Sequence, residues 1–166
     1  MPDTPPPMDL VDEVVAGYAA ERPDLDSHAI ETVCRLIYAG RKMELHAAAL
    51  LKPFGLNYTD LDVLGTLRRT GRPFELTPAD LIRSAMITSG AMTICLNRLE
   101  DAGMIARRVS TEDRRVRIVR LTAKGKALID KVLTARFGDA KDILTHMAER
   151  QMTTLNALLR AAVEKT

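Results

Sequence analysis

The sequence predicts a mainly α fold with a small β-hairpin, and three observations point there. Apolar residues recur at helical spacing through most of the 166 residues. Only two short runs, 104–109 and 116–121, read as strands. The third observation is where the charge sits. The formal net charge is only +2, yet residues 1–30 carry seven acids against one base. Residues 107–126 carry eight Lys/Arg against Glu112 and Asp113. A basic block over the predicted hairpin suggests a polyanion partner, or else a solvated charged face.

Hydrophobic residues make up 46% and charged residues 28%, the balance of a soluble globular chain with one core and room for an appended dimerisation element. Aromatics are 4% and Trp is absent, which argues against a platform that stacks single-stranded bases. Cys34 and Cys95 lie far apart without framework spacing, so a reduced, cytoplasmic setting is expected. Charged residues interrupt every apolar stretch before it reaches transmembrane length, and no membrane partner is expected. The start is acidic and Pro-rich, unlike a signal peptide.

Residues 1–7 contain Pro2, Pro5, Pro6 and Pro7 and read as a disordered tail. A short helix over 8–20 has Leu10, Val14 and Val15 on its apolar side and ends at Pro23. Asp26 or Ser27 can cap a long helix to about Leu51. That helix has two apolar stripes, Leu36-Gly40-Met43-Ala47-Leu50 and Ile30-Val33-Ile37, which predicts burial on more than one side. Pro53-Phe54-Gly55 breaks it. Asn57, three residues before Asp60, then starts a helix that Gly71 closes.

Thr77-Pro78-Ala79-Asp80 is a strong helix start, with Thr as cap and Pro where no amide is needed. That helix ends near Ala85. Thr88 or Ser89 caps the next, which runs to about Ala102, with Gly103 as a left-handed terminator. The polar turn 110–115 joins the two strands. Thr122 caps a helix bearing Leu128, Val132 and Ala135, which Gly138 can kink, and a last helix spans 149–163. The predicted organisation is a tail (1–7), N-terminal helices (8–54), a central segment that carries the hairpin (55–122) and C-terminal helices (123–166).

A short helix, a tight turn, a second capped helix and then a basic hairpin make a helix-turn-helix with a wing, in which the second helix can enter a DNA major groove. The order of these elements says more than any one of them.

The same residues resemble the multiple-antibiotic-resistance regulator (MarR) family of winged helix-turn-helix transcription factors. The matching segments are Gly55-Leu56-Asn57, Val63-Leu64 with Leu67, Glu75-Leu76-Thr77-Pro78 and Thr88-Ser89-Gly90-Ala91-Met92-Thr93. They continue through Arg98-Leu99-Glu100, Ala102-Gly103-Met104-Ile105, Asp113-Arg114-Arg115 and Leu121-Thr122 with Gly125. The resemblance covers about residues 30–165. It implies a homodimer whose terminal helices interlock, a pseudo-palindromic double-stranded operator and a small-molecule effector, with repression the commoner outcome.

On the second helix of the motif, Met92, Leu96 and Leu99 should face the core, leaving Ser89, Thr93 and Asn97 opposite, with Arg98 beside them. Gly90 permits close approach to a phosphate. Ser89, Thr93 and Arg98 can hold phosphates, and Asn97 can read a base edge. The alternative is that Ser89 and Thr93 only cap and solvate the helix. At the hairpin tip, Arg114 and Arg115 can enter a minor groove, with Asp113 holding Arg115 through a salt bridge. The bland reading there is an exposed ion pair of little worth.

The resemblance also implies an aromatic or phenolic acid bound between the dimerisation helices and the winged domain, lined by Tyr38, Met43, His46, Phe54 and Asp62. Asp62 is either a buried carboxylate that senses ligand or pH, or a plain exposed acid. Urate-responsive relatives use a pocket Trp, which this chain lacks. Several relatives have Asn-Arg where Ile94-Cys95 stands here, so no operator sequence carries over. Cys34 beside Arg35 raises redox sensing as an alternative, against inert core cysteines.

An enzyme is not expected. His28, His46 and His146 are scattered, with no metal-ligand spacing, phosphate loop or nucleophile elbow. No cofactor or metal is expected. A winged module used only for protein interaction is the remaining rival, and it would not need Arg114 and Arg115.

Overall fold

The computed structural model describes residues 8–85, 89–111 and 113–164, so the expected tail lies outside it. In chain order the elements are α1 (Leu10–Glu21), α2 (Ser27–Leu51), a 3-10 turn (Lys52–Phe54) and α3 (Tyr58–Arg69). They continue as β1 (Glu75–Leu76), α4 (Pro78–Ala85), α5 (Ser89–Asp101), β2 (Ile105–Val109), β3 (Arg117–Leu121), α6 (Ala123–Ile143) and α7 (Glu149–Val163). The architecture is mainly α with a small antiparallel sheet, as expected. Two units divide the chain, Met1–Leu50 and Leu51–Thr166.

In the first unit, Asp9 and Asp12 form a reciprocal capping box at the start of α1. The same two carboxylates reach Arg35 on α2, which also holds Glu31 at 3.1 Å, so one guanidinium joins the two helices. Asp26, not Ser27, starts α2: its Oδ1 accepts the His28 N–H at 3.0 Å. The predicted two-sided burial of α2 differs from what one chain provides. Ala47 and Leu51 are buried, but Ile30, Val33, Leu36, Ile37 and Met43 are exposed. The apolar stripes are present and a single copy leaves them uncovered.

The second unit is built around α3, which packs on α4, α5, α6 and β3. Asn57 and Asp60 form its capping box, each side chain accepting the other's backbone N–H at 2.9 Å. Its buried Leu61, Val63, Leu64 and Leu67 share a core with Leu81, Leu96, Leu99, Val119, Ile129 and Val132. Arg68 reaches Asp130 on α6 at 2.6 Å, with Lys126 on the carboxylate's other oxygen.

The sheet has three strands in the order β1-β3-β2, one more than the expected hairpin. Two residues, Glu75 and Leu76, are too short to show a period of two. They are strand because they lie opposite Arg120 and Val119 of β3. The hairpin itself pairs Ile105 with Leu121 through Val109 with Arg117.

Between α5 and α6 the chain makes a tight joint. Gly103 takes φ +69°, and the Gly103 and Met104 N–H groups donate to the last carbonyls of α5 at 2.8 Å. Thr122 donates its N–H to the Met104 carbonyl at 3.0 Å and accepts the Gly125 N–H at 3.0 Å. A Cβ on Gly125 would lie 2.9 Å from the Met104 carbonyl carbon and closer still to its oxygen. Downstream, α6 runs from Ala123 through Gly138 to Ile143. Among the described residues no helix is long and apolar enough to cross a membrane.

These two glycines should respond differently to alanine. Gly125→Ala forces backbone apart and should lower the unfolding free energy by about 3 kcal/mol. Gly103→Ala meets open space and should cost only the left-handed backbone term, about 1–2 kcal/mol. Urea titration of both variants measures the difference.

Candidate nucleic-acid interface

Thr77 starts α4 as predicted: its hydroxyl accepts the Asp80 N–H at 3.1 Å and donates to the Asp80 carboxylate at 2.7 Å. Residues 86–88 lie outside the described residues, and with them Thr88 as a possible cap of α5. Ser89, the other candidate, is already the first helical residue. On α5, Met92, Cys95, Leu96 and Leu99 are buried, and Ser89, Gly90, Thr93, Ile94 and Asn97 are exposed on the other side. The Thr93 hydroxyl donates to the Ser89 carbonyl at 3.1 Å, so its lone pairs are what it offers outward.

Arg98 was expected to hold phosphate. In the structure its guanidinium bonds the Asp60 carboxylate at 2.5 Å, and Asp60 is only 1% exposed. Arg98 therefore anchors α5 to α3, because a buried carboxylate without its cation is costly. Cys95 Sγ lies 3.3 Å from the same carboxylate oxygen. Burial first, then Asp60, push the Cys95 thiol up to about 12, which keeps it a protonated, unreactive group. Arg35, on which the redox reading of Cys34 relied, is taken up by Asp9, Asp12 and Glu31.

The hairpin tip differs from expectation at Asp113. Its Oδ1 accepts the Arg115 backbone N–H at 2.8 Å, and the Val116 N–H donates to the Asp113 carbonyl at 3.0 Å. Asp113 thus shapes the turn through the backbone instead of pairing with the Arg115 guanidinium. A short acid next to a turn reaches the amide two residues on more readily than a long side chain's end. Arg114 and Arg115 are exposed on this turn.

Sequence could not sort the strand arginines, and the structure does. Arg107 of β2 is held by Glu100 of α5, with Nε to carboxylate at 2.8 Å. Glu75 of β1, 16% exposed at its side chain, takes Arg108 at 2.8 Å and Arg120 at 3.7 Å. Lys126 pairs with Asp130, and Lys124 donates to the Ala102 carbonyl at 2.8 Å. Among the described residues, the arginines of this block with no carboxylate in ion-pair range are Arg114, Arg115 and Arg117.

A groove of about 840 Å³ lies within the second unit, among α3, α4, α5 and α6. Of the five residues expected to line a ligand site, only Asp62 faces it; Phe54 does not, and Tyr38, Met43 and His46 are α2 residues of the first unit. Leu61 and Leu133 supply apolar walls, with Phe137 at the edge and Arg69 and Arg136 as cations. Leu133, Arg136 and Phe137 of α6 lie some 70 positions from the α3 residues, so no local spacing signals their meeting. Burial raises the Asp62 carboxyl above its ordinary value, and nearby Arg69 opposes this.

Comparison with known proteins gives a consistent picture. The sequence profile of the MarR family matches residues 54–116. The chain is 33% identical to the transcriptional regulator PecS of Dickeya dadantii over 93% of each chain. It is 33% identical to the transcriptional repressor Rv2887 of Mycobacterium tuberculosis over 70% of this chain and 83% of that one. The fold matches a mutant of MarR from Escherichia coli complexed with operator DNA, with TM-score 0.70 at 22% identity, covering 93% of this chain and 99% of that one.

Two outcomes are expected. Glu75→Gln frees Arg108 and Arg120, so binding to a non-specific duplex should tighten and its log–log salt slope should steepen by about 1 to 2. Fluorescence anisotropy across a salt series reads both. Asp62→Asn should raise the melting temperature at neutral pH, since the fold disfavours the ionised acid there. That gain should fade as pH falls through the raised folded-state value and be gone below 3.8. Thermal melts at several pH values measure it.

Proposed function

The chain belongs to the MarR family of helix-turn-helix transcriptional regulators, which are DNA-binding proteins and not enzymes, and on that premise we propose that it represses transcription as a homodimer on a pseudo-palindromic operator until a small aromatic or phenolic acid releases it. The observation that carries this reading is the pairing of two surfaces in one unit. One is the outward face of α5, with Ser89, Gly90, Thr93 and Asn97 exposed. The other is a wing whose Arg114, Arg115 and Arg117 meet no carboxylate among the described residues. In this reading Asn97 reads a base edge, Ser89 and Gly90 meet the backbone, Thr93 joins them by turning its hydroxyl from the Ser89 carbonyl to a phosphate, and the tip arginines enter the minor groove. Asp113 acts by shaping the tip.

Exposed apolar side chains support self-association. They include Leu10, Val14 and Tyr18 on α1, Ile30, Val33 and Ile37 on α2, and Leu155, Leu158 and Val163 on α7. Residues 8–54 and 123–166 supply the dimer contacts, and 55–122 the DNA contacts. The α3–α6 groove suits the effector: apolar walls take a ring and Arg69 takes a carboxylate, Arg136 being held by Asp139 at 2.9 Å. The ligand releases DNA only to the extent that it prefers a conformation with wrongly spaced recognition helices. The setting is the cytoplasm.

Selection from a random duplex pool at near-physiological salt tests the reading. The expected result is a pseudo-palindrome with half-sites about 34–36 Å apart, one helical turn. Arg115→Ala should weaken binding to that duplex at least tenfold while the dimer persists in size-exclusion chromatography. An unchanged affinity would remove the wing from the interface.

A further inference from the structure

On α5, Ile94 is 71% exposed, although the helix's other large apolar residues, Met92, Leu96 and Leu99, are buried. At 3.6 residues per turn, Gly90, Ile94, Asn97 and Asp101 share one stripe directly opposite the buried face. Ile94 thus stands near the middle of the outward face, in the first half of the helix. It is flanked by the polar Thr93 and Asn97, and β2 of the cation-bearing wing packs against the same helix. Such surroundings suit a polyanion better than an apolar protein surface.

An isoleucine has no donor or acceptor, so it cannot read the hydrogen-bonding edge of a base. The major groove presents one apolar feature to it, the C5 methyl of thymine. Its β-branched side chain is nearly fixed about χ1 in a helix, so little freedom is lost on contact. We propose that Ile94 is a specificity-determining residue that packs on a thymine methyl in each half-site. This rests on the DNA-binding reading above, and it adds the base and the atom that are read.

The test uses the full chain and the duplex enriched from the random pool. Each thymidine of a half-site is replaced in turn by deoxyuridine, which removes only the methyl group. One replacement should weaken wild-type binding about three- to fivefold, the effect of one methyl returned to water. Ile94→Val should keep that sensitivity. Ile94→Ala should bind more weakly to the thymine duplex, bind thymine and uracil duplexes equally, and melt at the wild-type temperature. If Ile94→Ala still distinguishes the two duplexes, or if no uracil replacement affects the wild type, the inference falls while the enriched palindrome leaves the regulator reading standing. Failure of the folded chain to enrich any duplex would overturn both.

Discussion

Asp60 is almost wholly buried, and three bonds converge on its carboxylate. One oxygen accepts the Asn57 backbone N–H and closes the start of α3; the other meets Cys95 and Arg98 on α5. A buried charge of this kind is tolerated only when it is fully satisfied. Among the described residues no buried side-chain polar atom lacks a partner. The cap of one helix is therefore also the attachment point of the next but one. The azimuth of α5, and so the choice of which residues face outward, depends on it. Arg98 serves this joint through one guanidinium nitrogen while its side chain stays half exposed.

A second joint carries that orientation into the wing. The end of α5, the start of β2 and the start of α6 meet around the Met104 carbonyl, which accepts from Thr122 and leaves no room for a side chain at 125. Lys124 adds a bond to the Ala102 carbonyl at the negative end of α5. Helix α5 and the hairpin are thus held by close backbone contacts, and close-packed contacts of this kind transmit orientation without slack.

Charge is distributed by the same logic. The basic block of 107–126 is not a uniform patch. Glu75 and Glu100 neutralise the strand arginines nearest the body of the unit, and among the described residues the arginines of the block without a carboxylate in ion-pair range are Arg114 and Arg115 at the tip and Arg117. Held arginines stiffen the wing, while the others are available to a polyanion. In the first unit the acidic excess does a comparable structural task, with three carboxylates gathered on Arg35.

Residues whose chemistry acts over three or four positions were legible from sequence. The caps at Asn57, Thr77 and Thr122, the left-handed Gly103, the helix spans and the hairpin all follow from local spacing, because capping and turn bonds span only a few residues. The outward placing of Ser89, Thr93 and Asn97 follows from helical period alone. Only the tertiary structure decided the rest. Arg98 turning to Asp60, Glu75 becoming part of a third strand that holds two arginines, and Arg136 and Phe137 gathering with Asp62 all join positions tens of residues apart. No period or spacing encodes such contacts; they exist because the packed core brings those side chains within a few ångströms of one another.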